Sequence, residues 1–369
     1  MIKQGNIKHT LIKVVEGNYT MSMHRNLFNI FSIASLGIFL FLIGCQSSLP
    51  DTKGTPTAAR ILFTSTRDGQ SAPYLMDNDG SNVQAVSFSA LTDYVLKQFN
   101  WVPSLNAYIA VLRDPSGQYD LFLIDADGKI MQRITNDVTE EGLADYSPEA
   151  ELFAYVCYYA DIDICTVSST GENQTNLTPF QSRETNPQWS STGDKILFVS
   201  SQSGIPNIWT MNPDGSELTL LGERTALEGG ASWSPDDRLI LFETKRDGNS
   251  EVYVMDSNGE NPKNISDHPG NDYSPKWSPD GDYIAFISDR DGGVDIYLTE
   301  KDGTGLVNIT ATPQVIERIF IWSLDSSGIL FDAPIEEQYD IFIVDIDGEN
   351  LKNLTNHPAD DVDPRFVGY

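Results

Sequence analysis

The chain has 369 residues, of which 40% are hydrophobic and 21% charged, a globular composition sufficient for one large domain or two ordinary ones. Fifty-three acidic residues against 24 basic ones give a formal charge of −29, and the part after residue 45 has 20 bases against 52 acids, or −32. Such a charge repels nucleic acid and anionic membrane surfaces instead of releasing their counterions, so cations, basic protein surfaces and neutral glycans are the partners left.

The first element is a leader. In MHRNLFNIFSIASLGIFLFLIGCQSS, His24 and Arg25 precede an uncharged, mostly apolar run from Leu27 to Ile43 that ends at Gly44-Cys45. A basic start, an apolar middle and a small residue at the cut are the layout of a secretory signal. LIGC resembles a lipobox, with Leu42 and Gly44 in fitting places and Ile43 a less usual occupant. The expectation is a signal peptide over residues 1 to 44, its true start at Met1, Met21 or Met23, and a lipid-modified Cys45. Residues 46 to 59, rich in Ser, Thr and Pro, continue as a flexible tether. An uncleaved membrane anchor is the competing reading, because about 17 apolar residues are at the short end of a bilayer span. The lipoprotein reading puts the protein in a bacterial envelope, on the outer side of the cytoplasmic membrane or in the outer membrane.

From residue 60 onward the chain repeats. WSPDGDYIAFISDRDGGVDIYLTEKDGTGLVNIT at 277 to 310 recurs as WSPDDRLILFETKRDGNSEVYVMDSNGENPKNIS at 233 to 266. Weaker copies lead with Trp101, Tyr146, Trp189, Trp322 and Phe366, and successive lead aromatics are 43 to 45 residues apart. Each copy offers four short runs rich in Val, Ile, Tyr, Phe and Thr, bounded by Asp-Gly, Asn-Gly or Ser-Pro, the pattern of antiparallel hairpins. Four-stranded units of this length predict an all-β protein, a seven-bladed β-propeller over residues 60 to 369. The N-terminal copy lacks its lead aromatic and the C-terminus has one to spare. Residues 363 to 367 are therefore expected to form the innermost strand of the blade whose other strands come from 60 to 88, which would close the open sheet edges.

These repeats resemble the TolB-type propeller repeat of bacterial envelope proteins, whose signature is close to P-x-W-S-P-D-G-x-x-I-A-F-x-S-x-R-D-G-x-x-D-I-Y. The likeness spans residues 60 to 369 and is strongest over Pro275 to Tyr297 and Trp233 to Tyr253. It implies the fold and a tendency toward binding. TolB itself carries an additional N-terminal α/β domain and pairs with a peptidoglycan-associated lipoprotein. Residues 1 to 59 read instead as leader and tether, so that partner does not carry over.

Several motifs suggest chemistry. Asp125-Ala126-Asp127-Gly128 and Asp345-Ile346-Asp347-Gly348 look like the start of a calcium loop, but such a loop needs further oxygen ligands and a bidentate Glu at its twelfth position. A Gly at the matching turn of all seven units, Gly348 among them, fits a tight hairpin better. His268 and His357 occupy the same place in two blades, nine residues before the lead aromatic, and repeat-equivalent side chains do not converge as an acid–base pair. Oligogalacturonate lyases use a metal site of several His, which two equivalent His cannot build; the sequence contains no G-x-S-x-G for a linked hydrolase and no cluster of Arg for a sialidase.

One position stands out. Five residues before the lead aromatic six units carry an acid: Glu141, Glu184, Glu228, Asp272, Glu317 and Asp361, with Leu96 in the seventh. At the start of the innermost strand, these carboxylates would form a partial ring near one mouth of the central channel. Two readings are open. Each acid pairs with a base in the adjacent loop, such as Arg67, Arg113, Arg246 or Arg290, or with loop amides; or the ring holds a divalent cation, for which calcium is suited, or a basic partner segment. Cys157 and Cys165 fall in one blade, symmetric about Asp161, as a cross-strand disulfide or as two buried thiols.

The function these features favour is a monomeric, non-catalytic binding propeller, tethered by lipid and holding a protein or glycan. The alternative is a carbohydrate-active lyase or hydrolase using carboxylates at the channel mouth. Fold alone does not choose between them. An enzyme breaks repeat symmetry at its site, so non-repeated polar residues near the axis are what discriminates.

Overall fold

The computed structural model describes residues 60–86, 95–125, 129–136, 140–223, 226–311, 319–336 and 338–367, with the backbone alone at 95–99, 140, 141 and 143. Residues 1–59, on which the expected leader, lipid-modified Cys45 and tether fall, and Glu317 lie outside these residues. Among the described residues no helix is long and apolar enough to cross a membrane, and the one helical element is a 3-10 turn at Pro103–Leu105.

Seven antiparallel sheets of four strands each make a seven-bladed propeller. Blades 1 to 6 take consecutive strands from Val95 onward. Blade 5 shows the pattern: Asp272–Trp277, Tyr283–Ser288, Asp295–Glu300 and Val307–Asn308, with Trp277 opposite Ile284, Phe286 opposite Tyr297, and Tyr297 opposite Asn308. Blade 7 joins the two ends of the described chain. Its innermost strand, Asp361–Val367, runs antiparallel to Arg60–Ser65, with Phe366 opposite Ile61 and Asp361 opposite Ser65. The expected clasp is present, two residues longer than the sequence suggested.

Side chains alternate across each strand, so every blade has two apolar faces. In blade 4, Ile240, Phe242, Tyr253 and Met255 pack with Leu197 and Ile208 of blade 3, while Leu241, Val252 and Val254 pack with Ile284, Phe286 and Tyr297 of blade 5. The core is thus a ring of seven inter-blade layers, and the one between blades 7 and 1, with Leu62, Leu75, Tyr108 and Phe122, completes the circle.

Turn chemistry follows the sequence. At the hairpin between third and fourth strands, Gly80, Gly171, Gly215, Gly259, Gly303 and Gly348 have φ from 77° to 87°, which a side chain rarely tolerates. The same glycine lets the hairpin lie on the preceding blade: a Cβ on Gly259 would stand 2.9 Å from the Leu221 carbonyl oxygen. The Asp345–Gly348 segment is one of these hairpins, with Asp347 Oδ1 accepting from the Glu349 amide at 2.9 Å and Asp345 Oδ2 from Asn350 Nδ2 at 2.7 Å.

Fourth strands are shorter than LVNIT and its equivalents suggest, mostly two residues. What replaces strand pairing is a polar tie. Asp295 on the third strand accepts from Asn308 Nδ2 at 3.0 Å, and Thr310 Oγ1 accepts the Ile296 amide at 2.9 Å. Asp163 with Asn176 and Thr178, and Asp340 with Asn353 and Thr355, repeat it. His268 and His357 each accept a loop amide at Nδ1, from Gly270 and Ala359, which makes them equivalent loop ties.

Candidate functional site

The repeated acids sit where the sequence places them, at the start of the innermost strand opposite the end of the second: Glu184 faces Ser200, Glu228 Thr244, Asp272 Ser288 and Asp361 Ser65. All four are buried. In blades 4, 5 and 7 each is held by the arginine of an Arg-Asp-Gly turn in its own blade. Arg290 Nη2 donates to Asp272 Oδ1 at 2.8 Å and its Nε to Ser288 Oγ at 2.9 Å. Arg67 donates to both Asp361 oxygens, at 3.0 and 2.9 Å, and Arg246 to Glu228.

Each guanidinium packs against a pair of neighbouring rings. Arg290 lies 5.4 Å from the Phe286 centroid and 4.8 Å from that of Tyr297, and Arg67 and Arg246 sit likewise on Phe63 with Tyr74 and on Phe242 with Tyr253. The Tyr hydroxyl in turn donates to the Asp of the same turn: Tyr74 to Asp68, Tyr253 to Asp247, Tyr297 to Asp291. Burial, with Asp247 next, pushes the Tyr253 hydroxyl up to about 12, so it stays a donor. Acid, Ser or Thr, Arg and Tyr therefore form one buried clamp that fastens the innermost strand to the rest of its blade.

The other blades vary the clamp. In blade 2, Cys157 and Cys165 stand in the Ser and Tyr places, and a disulfide with a Cα–Cα distance of 5.9 Å joins them where the arginine would reach. Glu141 lies opposite Cys157 in the backbone register. In blade 3 Gln202 replaces the arginine, and Glu184 Oε1 accepts from Ser182 Oγ at 2.6 Å and Ser200 Oγ at 2.7 Å, while its Oε2 is buried without a hydrogen bond. Burial raises the Glu184 carboxyl above its ordinary range, against those hydroxyls and with help from the charges of Asp163 and Asp161. Arg113 meets no repeated acid, since its blade has Leu96 there; its Nε donates to the Gly117 carbonyl at 3.2 Å. Among the described residues no three His, Cys, Asp or Glu side chains come together as a metal site.

A second set of residues breaks the symmetry. Immediately before the lead aromatic stand Asn100, Asp145, Gln188, Ser232, Lys276, Ile321 and Arg365, one per blade. Three of them reach to the next blade. Asp145 Oδ2 accepts the Trp189 amide at 2.8 Å, Gln188 Oε1 accepts the Trp233 amide at 3.2 Å, and Lys276 Nζ donates to the Phe320 carbonyl with the Phe320 ring centroid 4.9 Å away. Ionisation is displaced in this inner girdle too. Burial pushes Asp145 up to about 6, burial followed by the charge of Arg365 brings Lys276 down to about 8, and burial lowers Arg365 to about 10 against the pull of Asp363. The girdle has no sequence motif, because its residue type changes in every blade, although the repeat register shows the column plainly.

The model of the TolB beta propeller domain matches residues 97–242 and 220–319. The chain belongs to the TolB β-propeller family. TolB from Acinetobacter baumannii superposes with a TM-score of 0.51 at 17% identity, over 80% of this chain and 78% of that one. An oligogalacturonate lyase from Vibrio parahaemolyticus gives 0.59 at 14% identity, over 83% and 87%. A puromycin-hydrolyzing peptidase from Mycobacterium tuberculosis gives 0.60 at 12% identity, over 81% of this chain and 53% of that one, so the propeller corresponds to about half of the peptidase. At these identities the shared property is the fold. No curated protein matches the chain.

Proposed function

We propose that this TolB-family propeller is a non-catalytic binding protein of the bacterial cell envelope, held at a membrane by lipid on Cys45 and presenting the ring to a protein or glycan partner. The observation that carries the binding role is how its buried carboxylates are used. Asp272, Glu228 and Asp361 are bound to arginines of their own blades, and Asp145 accepts two backbone amides, from Trp189 and from Tyr146. The other displaced ionisable groups of the girdle, Lys276 and Arg365, are both cations, so the girdle breaks repeat symmetry without setting a second carboxylate of its own beside Asp145. A lyase or hydrolase needs an acid and a base facing one substrate, with at least one of them able to exchange its proton. What supports the anchor is the LIGC sequence and the polar segment after it.

The test is retention against turnover. The tagged full chain, cross-linked in envelope membranes, is expected to recover a defined partner in saturable amount. Steady release of a shortened or unsaturated glycan by the purified protein would replace this reading with the enzymatic one.

A further inference from the structure

The turns that join first and second strands lie at the other end of the innermost strand from the acid clamps. Some neighbouring turns are tied together through the fourth residue after the lead aromatic. Between blades 3 and 4, Asp237 accepts from the Ser191 amide at 2.9 Å and from its Oγ at 2.5 Å. Between blades 5 and 6, Ser326 Oγ accepts the Asp280 amide at 3.1 Å. Between blades 4 and 5 the same position is Gly281, which has no side chain, and the residue matching Ser191 is Pro235, which has no amide proton. The two turns touch, since a Cβ on Gly281 would stand 3.2 Å from Pro235 Cδ. Beside that contact a cleft of about 620 Å³ opens, within the usual range for small-ligand sites.

One wall of the cleft is Trp277, half-buried where Trp189, Trp233 and Trp322 are buried, with Leu239 beside it. The polar lining sets the carboxylates of Asp236, Asp256 and Asp280 among the cations of Arg238 and Lys301. Both cations break the repeat. At the place of Arg238 the other units have Asn106, Glu151, Asp194, Asp282 and Ser327, and at the place of Lys301 no other unit has a base. Lys301 Nζ has three protons and, among the described residues, donates one hydrogen bond, to Asp282 Oδ1 at 3.3 Å.

We infer that this cleft binds a neutral oligosaccharide, with one sugar ring lying on Trp277. The inference rests on the binding role proposed above and selects glycan as the ligand class. The C–H face of a sugar ring is apolar and suits the negative face of an indole. Its hydroxyls both donate and accept, so one ligand serves the carboxylates and the cations together. Three carboxylates against two cations, in a chain of charge −29, disfavour an anionic ligand, while Arg238 and Lys301 disfavour a cationic one. A proline-rich peptide would also stack on Trp277, but its prolines lack N–H groups and would leave the carboxylates unmatched.

The test is calorimetry and tryptophan fluorescence of the full chain at pH 7 with cellohexaose, maltohexaose and N-acetylated chitohexaose. Hexagalacturonate and a proline-rich decapeptide represent the competing ligand classes. At least one neutral oligosaccharide is expected to bind saturably, shift the emission to the blue and be recovered with its mass unchanged. Arg238→Ala, at a side chain 84% exposed, should fold normally and weaken binding about fivefold or more, the effect of one lost hydrogen bond. Trp277→Phe, which keeps an aromatic wall, should bind more weakly and lose most of the emission shift, while Lys129→Ala in blade 1 leaves binding unchanged. No binding of the three neutral oligosaccharides, unweakened binding in both Arg238→Ala and Trp277→Phe, or tighter binding of hexagalacturonate or the peptide would each overturn the assignment. Should the neutral oligosaccharides fail while an envelope partner is still retained, the cleft alone is wrongly assigned; release of shortened or unsaturated products would overturn the binding role beneath it.

Discussion

Replacing Arg290 with Met should unfasten the clamp of blade 5 while preserving most of its packing volume. Arg290 is 7% exposed in its side chain and Asp272 0%, with 2.8 Å between their charged atoms. The variant would leave a wholly buried carboxylate facing Ser288 and the Tyr297 ring with no cation. Stranding one partner of a buried ion pair costs about 3–5 kcal/mol. Loss of the stacking on Phe286 and Tyr297 adds ~0.5–1 kcal/mol, partly offset by the apolar methionine. Changing both residues, Arg290→Met with Asp272→Asn, removes the stranded charge and should recover more than half of the loss. Urea unfolding followed by tryptophan fluorescence measures each corner of the cycle. A loss below about 1 kcal/mol for Arg290→Met, or a double variant as unstable as the single one, would show that the clamp does not hold the strand.

Blade 3 provides the contrast. The Glu184 carboxyl is raised above its ordinary 4.5, so the folded state takes up that proton at higher pH than the unfolded chain does, and the group costs stability at neutral pH that is regained as the pH falls through its folded-state value. Glu184→Gln keeps both hydroxyl partners and should leave stability unchanged or raise it by ~1 kcal/mol at pH 7, with a smaller difference at pH 4; a loss above 2 kcal/mol in urea unfolding would contradict this. Reducing Cys157–Cys165, which closes a loop of sequence separation 8 in a buried layer, should cost about 2–3 kcal/mol and add two hydrogens to the intact mass. An unchanged mass on reduction would mean that blade 2 holds two thiols. Calcium added after chelation should give no heat and no change in melting temperature, because the arginines already neutralise Asp272, Glu228 and Asp361; a saturable heat lost in Asp361→Asn would restore the cation reading of the ring.

Much of the architecture is legible in the chain because lead aromatics 43 to 45 residues apart admit few folds, and the missing first aromatic with its spare at Phe366 already implies the clasp. The fourth strands are less legible: LVNIT has the composition of a full strand, yet Asn308 and Thr310 spend their side chains on Asp295 and the Ile296 amide, which bends the segment away after two paired residues. The acidic column is visible by register, but its burial depends on the Arg-Asp-Gly turn folding back over two rings. That long-range arrangement joins Arg67 to Asp361 across 294 residues of sequence. The Tyr-to-Asp bond at the same turn is local, six residues apart, and its spacing is visible in the sequence in Asp68 and Tyr74, Asp247 and Tyr253, and Asp291 and Tyr297. The girdle carries no motif at all, and only burial and bonding distinguish Lys276 and Arg365 from ordinary surface cations.

The binding role is tested most directly by incubating the purified full chain with envelope extract and following, in one sample, which molecules are retained and whether any of them changes in mass. The account predicts saturable retention of a partner that is recovered chemically unaltered. Accumulation of a new product over many turnovers, abolished in Asp145→Asn or Glu243→Gln, would contradict it.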